Sequence, residues 1–253
     1  MISLNNHKHT RTTLNTHKLV TEHTNMGFGS EDKMMGRNFF GLKNLSIKIA
    51  GSNNVGPNHD KRADVPPQTT TLLVPGLGGS GPKHWQSRWQ QSRPGCSFVK
   101  QNNWNLPDCQ AWLTGLDAAI RACPTPPIVV AHSLGCALVA HWAAHTTTDT
   151  LIQGALLVAP ADVDSDLHTP PETKVFAPMP MTRLAFPATV VASTTDSYVD
   201  VQRAQVFATA WGAEFVNIGA HGHINADSRL DDWDEGWRLL DDLMAPTESL
   251  SIA

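Results

Sequence analysis

Pro127-Ile-Val-Val-Ala-His-Ser133-Leu-Gly-Cys-Ala-Leu-Val-Ala-His-Trp142 decides how the rest of the chain is read. Ile128, Val129 and Val130 form a short β-branched run behind Pro126-Pro127, the mark of a strand buried on both faces. Leu134, Leu138 and Trp142 then recur at helical spacing. Between strand and helix lies Ala131-His132-Ser133-Leu134-Gly135. A serine on a tight strand-to-helix turn is lifted above the sheet, beside a helix N-terminus that favours negative charge. Small residues two before and two after it let strand and helix approach closely. Gly135 fits, and Ala131 stands where a glycine is usual, at the cost of one methyl group. The five-residue pattern is weak by itself, and a serine that only caps a buried helix would look the same. A base and an acid downstream are needed.

Composition bounds the problem. The chain has 253 residues, 41% of them hydrophobic, enough for a sizeable core. A net charge of -4 offers no basic footprint for nucleic acid. No run approaches the length of a membrane span, and the first residues lack the apolar core of a secretory signal. Cys96, Cys109, Cys123 and Cys136 include no CxxC pair, so neither a disulfide framework nor a zinc site is expected, and the cytoplasm is the default compartment. Residues 1–66 are rich in Asn, Thr, His and Lys without periodicity, and read as a disordered or loosely attached extension. His7, His9, His17 and His23 lack thiolate or carboxylate partners at ligand spacing and read as an incidental polar tract. The domain proper is 67–253.

Within it, apolar strands alternate with helical patterns: Thr69 to Val74, Ser97 to Val99, the elbow strand, Ala155 to Ala159, Ala188 to Ala192 and Ala213 to Ile218. That alternation predicts an α/β fold, a mostly parallel sheet with helices on both faces. Trp85 and Trp89 share a helix face that packs on the sheet, and Cys109 to Arg121 is a helix. A further helix is expected from about Val199, and the last one after Ser228. Residues 161–187, rich in proline, form either a lid or wall beside the site or a solvated surface crossover.

The loop Gly76-Leu-Gly-Gly-Ser-Gly81 matches G-x-G-x-x-G between a strand and a helix, the dinucleotide fingerprint. That fingerprint also wants an acid about 20 residues on, yet no Asp or Glu occurs between Asp64 and Asp108. No cofactor and no metal are therefore expected. In a hydrolase the same loop supplies one backbone N–H, at Leu77, to an oxyanion hole, and Leu134 supplies the other. Asp196 follows the fifth strand and stands in the expected order after the serine, though it also suits a helix N-cap; Asp200 is read as lying inside the next helix. Two histidines, His221 and His223, compete for the base in the loop after the last strand.

Leu73 to Trp89, Ala131 to Gly135, Ala159-Pro-Ala-Asp-Val163 and Gly222-His-Ile-Asn225 together resemble the retinoblastoma-binding-protein-9-like serine hydrolases, over roughly residues 70–240. The resemblance implies a compact α/β-hydrolase fold with a minimal lid and a triad of Ser133, Asp196 and His223. It departs at Ala131 and at Asn103, where relatives would carry Asp. Geometry also favours His223: Gly222 lets the backbone turn and Ile224 packs inward. The expected activity is hydrolysis of a small acyl substrate, a carboxylic ester first, an amide or thioester second. A non-catalytic interaction module is the rival class. Leu134-Gly-Cys136 matches only L-x-C of the L-x-C-x-E segment associated with the retinoblastoma pocket. The sequence names no protein partner.

Overall fold

A computed structural model describes residues 69–146 and 151–245. The N-terminal extension expected at 1–66, with its histidines, lies outside the described residues. The chain runs β1 (Thr71–Val74), α1 (Trp85–Ser92), β2 (Cys96–Phe98), α2 (Cys109–Arg121), β3 (Ile128–His132), α3 (Leu134–His145), β4 (Gly154–Val158), β5 (Ala188–Ala192), α4 (Val201–Trp211), β6 (Glu214–Asn217) and α5 (Asp234–Met244). Short 3₁₀ turns cover Pro171–Phe176 and Ala226–Ser228. The strands form one sheet in the order β2-β1-β3-β4-β5-β6, every pair parallel. This is an α/β-hydrolase fold.

The β-branched runs are apolar throughout because helices cover both faces. On β3, Val129 and Ala131 face a core with Trp112 and Leu116 of α2, Leu138 of α3 and Phe207 of α4. Ile128 and Val130 face the other side, with Trp85 and Trp89 of α1 and Leu240 of α5. Period-two alternation along one strand thus feeds two cores. Cys136 and Leu134 are fully buried in α3, so the L-x-C segment is not presented at the surface.

The chain leaves β1 toward β2 and returns to β3 on β1's other side. The order therefore reverses between β1 and β3, where open α/β sheets form a crevice at the carboxyl ends of their strands. Val74 pairs with Ala131 there, so the loop after β1 lies beside Ser133. The two meet without room to spare. A Cβ on Gly76 would stand 2.8 Å from the Ser133 Cβ, and one on Gly135 would collide with the Val74 carbonyl oxygen. Gly135→Ala is therefore expected to cost about 1–3 kcal/mol of stability, because backbone must yield rather than a side chain. A lowered urea midpoint checks this; an unchanged midpoint contradicts it.

Two expectations are corrected. The last helix begins at Asp234, not after Ser228. Arg229, Asp231 and Trp233 all take positive φ, which no helix accommodates, and Leu230 and Trp233 reach the core from this turn instead. Asp200 does not lie inside a helix: α4 starts at Val201 and Asp200 is its N-cap residue. Residues 161–187 run over the surface, with many exposed side chains such as Leu167 and Val175, but are anchored into the core at intervals. Val163 and Phe176 are fully buried, the Phe176 ring lies edge-on to Trp112 at 5.7 Å, and Trp211 Nε1 donates to the Pro180 carbonyl at 2.8 Å. Pro170 alone of this segment's prolines lines the crevice described next. Among the described residues no helix is long and apolar enough to cross a membrane.

Candidate active site

Ser133 sits between β3 and α3 with φ 57° and ψ -122°. Such a conformation is costly for a residue with a Cβ and persists only when its surroundings impose it. Here they do: the Ser133 N–H donates to the Val158 carbonyl at 2.9 Å, and its own carbonyl accepts from Cys136 N–H at 2.9 Å. The turn aims the hydroxyl at the crevice, where Oγ lies 2.8 Å from His223 Nε2. His223 Nδ1 lies 2.9 Å from both carboxylate oxygens of Asp196. A carboxylate only accepts, so Nδ1 carries the proton and Nε2 offers its lone pair to the serine O–H. The Asp196 carboxylate is sealed from solvent and also accepts the Tyr198 N–H at 2.8 Å. The structure thus joins Ser133, His223 and Asp196 in one hydrogen-bonded chain. His221 lies outside it.

The loop that carries His223 is tied at nearly every peptide. His221 N–H donates to Ser193 Oγ at 2.9 Å, and its carbonyl accepts from Ser228 Oγ at 2.6 Å. Gly222 N–H donates to Thr195 Oγ1 at 3.0 Å. The His223 carbonyl accepts from His132 Nε2 at 2.9 Å, and the Ile224 carbonyl from Trp85 Nε1 at 2.8 Å. Ile224 is fully buried, as expected from sequence. The Tyr198 ring lies 4.3 Å, centroid to centroid, from that of His223. The segment Ala159 to Val163 braces the same region. Asp162 N–H donates to the Tyr198 carbonyl at 3.1 Å, and Ala161 N–H to that of Ser133 at 3.4 Å. Asn103, the departure from relatives, accepts the N–H groups of Asn105 and Leu106, a duty either Asn or Asp performs.

Leu77 and Ser133 line one cleft of about 250 Å³. Leu134 is the first residue of α3, so its N–H has no acceptor within the helix. Cys136 is a core residue: burial pushes its thiol well above the usual range, and Sγ lies 3.4 Å from the Val158 carbonyl.

Sequence reasoning passed over two buried histidines here. His132 is held well below the ordinary imidazole range by burial, with His84 and His223 adding to the effect. His84 is lowered to about 4, again mainly by burial and then by His223. Both remain neutral in the fold, while the unfolded chain protonates near 6.5. The unfolded state therefore binds more protons between about pH 6.5 and 4, and stability falls as pH falls through that window. His84 alone costs on the order of 3 kcal/mol by about pH 4. Urea midpoints are expected to drop on acidification, and less steeply in His84→Asn, which keeps a capping acceptor but does not titrate. Equal slopes in the two proteins would contradict the assignment.

A serine on a strained strand-to-helix turn, backed by histidine and aspartate from later loops of a parallel sheet, defines an α/β-hydrolase site. Residues 71–242 match the serine hydrolase family model, and the chain belongs to that family. A YdeN-like hydrolase from Pectobacterium atrosepticum is 31% identical, with 70% of this chain and 90% of that one covered and a TM-score of 0.62. The ydeN gene product of B. subtilis is 16% identical, covering 70% of this chain and 100% of that one, TM-score 0.58. Est1E from Butyrivibrio proteoclasticus, solved with ferulic acid bound, shares the fold at 13% identity and TM-score 0.53, over 70% of this chain and 90% of that one. A search of curated proteins returned no match.

Proposed function

We propose that this serine hydrolase cleaves the carboxylic ester of a small acyl group through a covalent acyl-enzyme. The observation that carries the reading is the unbroken chain from Ser133 Oγ through both nitrogens of His223 to the Asp196 carboxylate. Ser133 Oγ attacks the acyl carbonyl while its proton passes to His223 Nε2. The tetrahedral adduct collapses as the bond to the leaving oxygen breaks, and His223 returns the proton to that oxygen. Water then adds to the acyl-enzyme, gives its proton to His223, and releases the acid with the serine O–H restored. Asp196 keeps His223 in the right tautomer and stabilises the imidazolium that forms twice per turnover.

The developing oxyanion needs donors fixed before the reaction begins. The N–H groups of Leu77 and Leu134 are proposed for that role. Gly76 packed against Ser133, and the position of Leu134 at the α3 N-terminus, support it. The finer placement among retinoblastoma-binding-protein-9-like hydrolases rests on the sequence motifs, and the motif from Ala159 to Val163 gains a physical role as the brace of Ser133 and Tyr198.

A panel of short-chain aryl esters, with the matching thioesters and anilides, tests the reading. Esters are expected to turn over fastest. Turnover of anilides alone would move the assignment to an amidase. No turnover of any panel member by folded protein would favour the non-catalytic module.

A further inference from the structure

Ile224, directly after the base, has φ 49°. Glycine accepts such a value at little cost, and Gly222 before the base does so at φ 53°. A β-branched residue adopts it only when its surroundings impose it. His223 thus stands between two residues of positive φ, and the direction of its side chain depends on how firmly the turn is held. Ile224 N–H donates to the His221 carbonyl at 3.1 Å, and the Ile224 carbonyl accepts from Trp85 Nε1 at 2.8 Å. The His223 carbonyl lies 2.9 Å from His132 Nε2. A carbonyl only accepts, so the His132 ring proton resides on that nitrogen.

His132 is the last residue of β3 and directly precedes Ser133. It pairs in register with Val158, whose carbonyl also receives the Ser133 N–H. Its buried ring lies edge-on to His84 at 4.7 Å between centroids and tilted against His223 at 4.9 Å. Packing alone does not call for an imidazole there. A ring of similar shape without nitrogen would fill the space and would spare the fold its loss of stability in acid. What the imidazole adds is the donor. Ser193 and Thr195, which hold His221 and Gly222, belong to the stretch that carries Asp196. They tie the base to its acid. His132 ties the base to its nucleophile, across 90 residues of sequence, through one peptide bond, one side chain and one hydrogen bond.

We propose that His132 is a positioning residue: by donating Nε2–H to the His223 carbonyl, it holds the His223 imidazole in line between Ser133 Oγ and Asp196. The proposal rests on the hydrolase reading of Ser133.

Two variants separate the donor from the ring. His132→Phe keeps a planar ring and loses the donor. His132→Gln loses the ring and keeps an N–H at a similar reach from the backbone. Turnover of para-nitrophenyl acetate, as kcat/KM, is expected to fall about a hundredfold in the phenylalanine variant and to recover to within about tenfold of wild type in the glutamine variant, since a misplaced catalytic group costs about that much. His132 also lines the cleft, so turnover by itself would mix positioning with substrate contact. Proton NMR of the substrate-free protein removes that ambiguity. The His223 Nδ1–H, held against the Asp196 carboxylate, gives a far-downfield resonance, assigned by its loss in His223→Ala. It is expected to shift or broaden in His132→Phe and to return in His132→Gln. His132→Leu takes the place of the phenylalanine variant if that protein does not fold. A donor-less variant that matches or exceeds the glutamine one in turnover overturns the proposal, because packing would then be the role of the ring. A resonance unchanged in the donor-less variant overturns it as well. Folded wild type that releases no nitrophenol overturns the hydrolase reading instead, and the resonance then still decides whether His132 orients His223.

Discussion

Ser133→Ala is expected to fold as the wild type does and to lose ester turnover on the order of a million-fold, the usual consequence of removing a triad nucleophile. The physical basis is local. Oγ makes its hydrogen bond to His223 Nε2 and none that holds the fold together. The turn is fixed by backbone bonds of Ser133 to Val158 and Cys136, which alanine keeps. The β-carbon is unchanged, so the strained φ of 57° carries the same cost in both proteins. Steady-state kinetics and a thermal melt together check this. Near-wild-type turnover by the alanine variant would remove Ser133 from the mechanism.

The second large effect separates the two histidines of the base loop. His223→Ala is expected to abolish turnover to about the same degree, since it removes both the acceptor of the serine proton and the partner of Asp196. His221→Ala is expected to change turnover by about tenfold or less, or about 1.4 kcal/mol of barrier. His221 contributes through its backbone: its N–H to Ser193 Oγ and its carbonyl to Ser228 Oγ both survive truncation of the side chain. His221 lines a hollow of about 490 Å³ that His223 also borders. An inactive His221→Ala beside an active His223→Ala would reverse the assignment of the base.

What the sequence discloses about this site follows how local each signal is. The bounds of α2 and the start of α3 are legible because capping and apolar spacing act within one turn of helix: Asp108 caps α2 by accepting the Ala111 N–H. The order serine, aspartate, histidine is legible because each residue follows a strand of its own in a parallel sheet. The late start of α5 is not. Leu230 and Trp233 fit a helical stripe, but they reach the same core from a turn whose positive φ values leave no trace in hydropathy. The buried anchors within 161–187, Val163 and Phe176 among them, are hidden in the same way, since proline content reports the absence of regular structure and not the absence of packing. The supports of the base are the least legible. His132 meets the His223 carbonyl across 91 residues of sequence, and Trp85 meets that of Ile224 across 139. No periodicity encodes such pairs. For His84 a weak signal existed: an imidazole directly before Trp85, at the position where a helix after a glycine loop takes its cap.

The central claim is that Ser133 is a nucleophile activated by His223, and active-site labelling tests it most directly. The folded protein is treated with a fluorophosphonate, digested, and the modified peptide identified by mass spectrometry. The account predicts one adduct, on the peptide containing Ser133, absent from Ser133→Ala and strongly reduced in His223→Ala. Folded wild-type protein that takes no label, or takes it on a different serine, would contradict it.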